Sequence, residues 1–106
     1  MTATLHASPY DLLSAFGAWL LKNPIAGDQV YAQSGIRYQV ARYCEYLAAN
    51  PWTGGDPLRQ KVARDGAIAA YRVYLETFGT PQATIDLILV SLDHFYVFLG
   101  LGARSR

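Results

Sequence analysis

Ser91, Asp93 and His94 stand close together near the C-terminus, and those three residue types can build a hydrolytic nucleophile. Their spacing argues against it. Consecutive residues on a helix point about 100° apart, so Asp93 cannot orient the His94 ring as a triad carboxylate must. A bound metal needs several converging ligands, and the chain offers two distant histidines, His6 and His94, and one cysteine, Cys44. Gly54-Gly55 reads as a turn, because no Gly-Lys-Ser/Thr follows to cradle a phosphate. Eight tyrosines and two tryptophans could stack on single-stranded bases. Most of the tyrosines fall on or beside apolar helical stripes, however, which assigns them to a core; Tyr31 and Tyr38 are the least settled. The expectation is a chain that is not itself an enzyme and that takes no cofactor and no metal.

The elements that position these residues are helical. The chain has 106 residues, of which 52% are apolar and 16% charged, with nine Lys plus Arg against eight Asp plus Glu. That describes one folded domain, residues 1–106, able to bury roughly two-thirds of its unfolded surface without metal or disulfide. Near-neutral charge excludes a polybasic arm or an acidic tail. Ser8-Pro9-Tyr10-Asp11 predicts a helix start near residue 9, with Ser as cap and Pro in the first turn. Leu12, Leu13, Phe16, Trp19 and Leu20 then form one stripe, and Asn23-Pro24 ends the helix near 22. Asp28 is placed to cap a second helix over 28–49. Ile36, Val40, Tyr43 and Leu47 face inward, with Tyr46 beside them, and Gln33, Ser34, Arg37, Arg42 and Glu45 lie largely opposite. Asn50-Pro51 closes it before the loop Trp52-Thr53-Gly54-Gly55-Asp56-Pro57.

Leu58 to Arg64 reads as a basic approach segment carrying Arg59, Lys61 and Arg64. Asp65 then caps a third helix over 65–78, with Ile68, Tyr71, Leu75 and Phe78 inward and Gly79 at its end. Thr80-Pro81 predicts a fourth helix over 81–99, with a stripe of Ile85, Ile88, Leu89, Leu92, Phe95, Tyr96 and Leu99. Leu87, Val90 and Val97 flank that stripe, so this helix is apolar nearly all round. It is either the central helix of the bundle or a helix whose outer face docks on a partner. Strand signals are absent, and the fold class is an all-α, compact bundle of four main helices. The most apolar stretch, Ile85 to Leu99, is too short and too polar to span a bilayer. Residues Met1 to Ser8 lack the pattern of a signal peptide. With a single thiol, these features fit a cytoplasmic location.

The last two helices carry a specific pattern. Tyr71-Arg72-Val73-Tyr74-Leu75 precedes a Gly/Pro turn. Then come Ala83-Thr84-Ile85, Leu89, Leu92, Phe95 and Phe98-Leu99, closed by Gly. This resembles the N-terminal core-binding domain of tyrosine recombinases, the SAM-like domain of phage integrases. Ile36, Val40, Tyr43, Tyr46 and Leu47 occupy that family's aromatic and aliphatic positions in the second helix, and the resemblance runs from about Leu12 to Gly102. It implies a domain that clamps one face of a DNA duplex with its second and fourth helices in the major groove. In such proteins a separate C-terminal domain, absent from this chain, cuts and rejoins DNA during recombination and integration.

Carried onto these positions, the resemblance places Gln33, Ser34, Arg37, Gln82, Thr84 and Ser91 toward the groove. Arg59, Lys61 and Arg64 would meet phosphates. The expected partner is double-stranded DNA, bound weakly and with strong salt dependence because cations are few. The rival reading is a protein-interaction or oligomerisation module that uses Leu87 and Val90 as its partner surface, with weak self-association as the expected sign.

Overall fold

The computed structural model describes residues 9–23 and 29–103. Four helices follow in order: α1 (Pro9–Lys22), α2 (Gln29–Ala49), α3 (Lys61–Thr77) and α4 (Gln82–Phe98). Among the described residues there is no strand, so the expected all-α bundle of four helices is the observed architecture. The expected caps Ser8 and Asp28 lie outside the described residues.

Helix ends follow local chemistry. Asn23 and Asn50 each donate from both backbone and side chain to the carbonyl four residues back, at Trp19 and Tyr46, which closes α1 and α2. Gly79 takes the left-handed conformation, φ +76°, as expected of a residue just past a helix. That conformation lets the Thr80 N–H reach back to the Leu75 carbonyl. Gly100 repeats the device after α4, where the Leu101 N–H reaches the Tyr96 carbonyl.

Two boundaries differ from expectation. Helix α3 begins at Lys61, four residues before the cap assigned to Asp65. The start comes from the preceding turn. Asp56 accepts from the Leu58 N–H through its carboxylate, and the Arg59 and Gln60 N–H groups bond to its carbonyl. The Gln60 side chain in turn accepts from the Asp56 N–H. That reciprocal turn launches the helix and leaves Asp65 inside it, bonded to Arg64. In α4, Pro81 is the capping residue and not the first helical one, with extended ψ and no side-chain cap bond.

The core gathers Phe16 and Leu20 of α1, Val40 and Tyr43 of α2, Ile68 and Tyr71 of α3, and Ile85, Ile88, Leu89, Leu92, Phe95 and Tyr96 of α4. Helix α4 supplies the most, and both it and α2 pack against all three other helices. In the last turn of α4 the buried Tyr96 hydroxyl lies 2.7 Å from that of Tyr43, so each phenol is the other's partner. Burial raises the pKa of both phenols, keeping the pair neutral. Phe78 departs from the inward stripe assigned to it. It follows the end of α3 and is exposed, lying edge-on to the Tyr74 ring. Trp52 folds its indole over Gly66, where a Cβ would collide with the ring, so the Trp52–Pro57 loop is clamped onto α3 by a missing side chain.

Candidate nucleic-acid interface

Helix α2 presents one outward stripe of hydrogen-bonding and cationic side chains. Ser34, Arg37, Tyr38, Arg42 and Glu45 are all exposed, and their spacings of three and four residues place them on one face. Arg42 donates from Nη1 to the Tyr38 hydroxyl at 3.0 Å and lies over that ring, 5.9 Å from its centroid. That hydrogen bond raises the guanidinium pKa further. Arg37 lies across α1 at Gly17, where an added Cβ would come within 2.9 Å of its Nε. The absence of a side chain at Gly17 lets the arginine shaft cross the α1–α2 seam.

Next to the stripe is a small hollow of about 140 Å³, lined by Arg42, Glu45, Tyr46, Ala49, Asn50, Tyr71 and Tyr74. The tyrosines separate as the residue pattern predicts for most of them. Tyr43, Tyr71 and Tyr96 are core, while Tyr38 is 57% exposed and Tyr74 is exposed at the hollow's rim.

The expected groove and phosphate contacts scatter. Ser34 and Arg37 share the α2 face, and the Gln33 side chain lies outside the described residues. Arg59 and Lys61 are exposed on another element, at the entrance to α3, with Arg59 3.5 Å from the Asp56 carboxylate. Gln82 and Thr84 are both exposed on the first turn of α4. Side chains two apart point about 200° apart, so they flank that turn on opposite sides. Gln82 also donates to the Asp86 carboxylate at 2.9 Å.

Two assignments are corrected. Arg64 is only 2% exposed and cannot meet a phosphate in this conformation. Its Nη1 donates to the carbonyls of Leu101 and Gly102 and its Nε to Asp65, so it ties the turn after α4 onto α3. Starting α3 at Lys61 is what rotates Arg64 inward, beside Ala63, Ala67 and Ile68 on the buried face. Ser91 is buried as well, donating to the Leu87 carbonyl within its own helix at 3.1 Å. This accounts for the Ser91 hydroxyl without Asp93 or His94.

Tyr38 and Arg42 complete the α2 stripe and were not among the expected contacts. The signal was present in the spacing, since Ser34, Tyr38 and Arg42 are successive i, i+4 neighbours. Leu87 and Val90, the expected partner surface, are 71% and 47% exposed, and Val97 is 48% exposed. Helix α4 is therefore central on one face and open on the other. Cys44 is half-buried in a separate apolar hollow with Leu12, Leu47, Trp52 and Leu58. Desolvation raises its pKa to about 11, which keeps it a thiol at neutral pH. Among the described residues, no helix is long and apolar enough to cross a membrane.

Comparison with known proteins found no matching family model, no matching curated protein and no matching solved structure.

Proposed function

We propose that this chain grips double-stranded DNA as the core-binding domain of a tyrosine recombinase, with strand cleavage and rejoining assigned to a separate domain. The α2 stripe of Ser34, Arg37, Tyr38 and Arg42 carries the reading. It offers two guanidinium groups and two hydroxyls on one exposed face, the side-chain types that read groove edges and contact phosphates. Arg59 and Lys61 add cations at the start of α3. The order of the four helices, with the Thr84-Ile85 to Phe98-Leu99 pattern on α4, supports the same family resemblance.

The cation supply sets the expected strength. Arg42, Arg59 and Arg72 each have a carboxylate within 3.6 Å, and Arg64 is buried. Binding by the isolated domain is therefore weak and acts mainly by counterion release. Engagement of Arg37, Arg42, Arg59 and Lys61 predicts a slope of about −3.6 in log K against log salt. Duplex retardation measured across a salt series tests this. A mobility unchanged by DNA even at the lowest salt removes the proposal.

A second reading has its own observation. The exposure of Leu87, Val90 and Val97 supports a protein-partner surface on α4, which is independent of DNA.

A further inference from the structure

The outward face of α4 is a seam. Ala83, Leu87, Val90, His94 and Val97 recur at spacings of four, three, four and three residues, the alternation that lines up side chains for helix-to-helix packing. Ala83, Leu87, Val90 and Val97 are exposed and His94 is half-buried. The seam points away from the buried stripe of Ile85, Ile88, Leu89, Leu92, Phe95 and Tyr96. An outward helix face normally places charged or polar residues at its centre. Here the charges sit at the edge, where Asp86 and Asp93 lie along one flank.

That edge selects the occupant. Helix α4 contains no lysine or arginine. A second copy of it, laid along the seam in either direction, therefore brings no cation to the acidic flank. Laid antiparallel, it sets the two acids of one copy against those of the other. Duplex DNA is disfavoured on the same ground, because the flank has the phosphates' own sign. We propose that the seam docks an amphipathic helix of another polypeptide, with an apolar stripe bordered by lysine or arginine. Leu87 and Val90 would pack between that stripe's side chains, and the exposed Asp86 carboxylate would meet its basic border. The inference rests on the reading of α4 as a partner surface and does not depend on DNA binding.

The test uses the full chain and two synthetic helical peptides of about 18 residues, long enough to hold a helix. Both carry leucines at the seam spacing; one is bordered by lysines and the other by glutamates. Fluorescence anisotropy at low salt is expected to show the lysine peptide binding about fivefold or more tightly than the glutamate peptide. Asp86→Lys should reverse that order. Leu87→Ser should weaken the lysine peptide by roughly tenfold while the helical circular-dichroism signal persists, since the side chain lies outside the core. Equal binding of both peptides, or an order unmoved by Asp86→Lys, overturns the basic-helix proposal and leaves an unselective apolar surface. No binding of either peptide overturns the partner-surface reading with it. Sedimentation of the wild type as a dimer that Leu87→Ser dissolves overturns the proposal in favour of a second copy.

Discussion

Helices α2 and α4 both turn a face to solvent at the three-and-four spacing, and they fill it with opposite chemistry. On α2 the stripe holds Ser34, Arg37, Tyr38, Arg42 and Glu45; on α4 it holds Ala83, Leu87, Val90, His94 and Val97. Both helices lend the other side to one core, joined through the Tyr43–Tyr96 hydrogen bond. The core therefore does not dictate what each helix shows outside. A polar, cationic stripe suits a hydrated, anionic surface such as DNA. An apolar seam is left for a drier contact, of the kind made with another helix. Placing groove contacts on both helices treats these faces as equivalent, and the buried Ser91 and exposed Leu87 show that they are not.

The sharpest test of that contrast is within α4. Leu92→Ala should cost about 3 kcal/mol, because the side chain is fully buried against well-packed neighbours. Leu87→Ala should stay within about 0.5 kcal/mol. Urea unfolding of the two variants checks the pair, and equal losses would mean that the seam is covered within the chain.

A loss of nearly the same size is expected for Arg64→Ala, about 3 kcal/mol, since the carbonyls of Leu101 and Gly102 lose a buried donor. Arg37→Ala and Arg42→Ala should change stability little, which separates the structural arginine from the stripe arginines in the same denaturation series.

Next comes the link between the two helices. Tyr43→Phe should cost about 2 kcal/mol by leaving the Tyr96 hydroxyl buried without its partner, and Tyr43→Phe with Tyr96→Phe should cost less than the two single losses summed. The pH dependence has a definite sign. Both phenols have pKa values above their ordinary value of 10.0 in the folded chain. Their contribution is thus complete below pH 10 and is lost as pH rises above it, because only the unfolded chain then releases those protons. Thermal melts between neutral and alkaline pH should show a fall above pH 10 that the double Phe variant lacks in large part.

The smallest effect is on affinity. Arg37→Ala or Arg42→Ala should each weaken duplex binding severalfold and flatten the salt slope by about 0.9, while Val90→Ser should leave both unchanged. Retardation assays across salt measure this. A loss from Val90→Ser equal to that from Arg37→Ala would erase the distinction between the faces.

The amino-acid order by itself determined the number of helices, the core stripes of α1, α2 and α4, and the glycine stops at Gly79 and Gly100. Each depends on contacts within a few residues or on a period that burial repeats along one helix. It also placed Ser34 and Arg37 outside, since α2 has one apolar face and little ambiguity. Tertiary structure decided the rest. Whether Leu87 and Val90 were covered depended on how many sides of α4 the other helices occupy, a property of packing that no single stripe contains. Arg64 could be placed only once two distant segments had met. Its charge marked it for the surface, but the turn launched by Asp56 rotated it inward and the chain returning after α4 supplied the carbonyls that hold it there. Sequence spacing determines which side chains share a face of a helix, and assembly of the helices determines whether that face meets water, a neighbour or a partner.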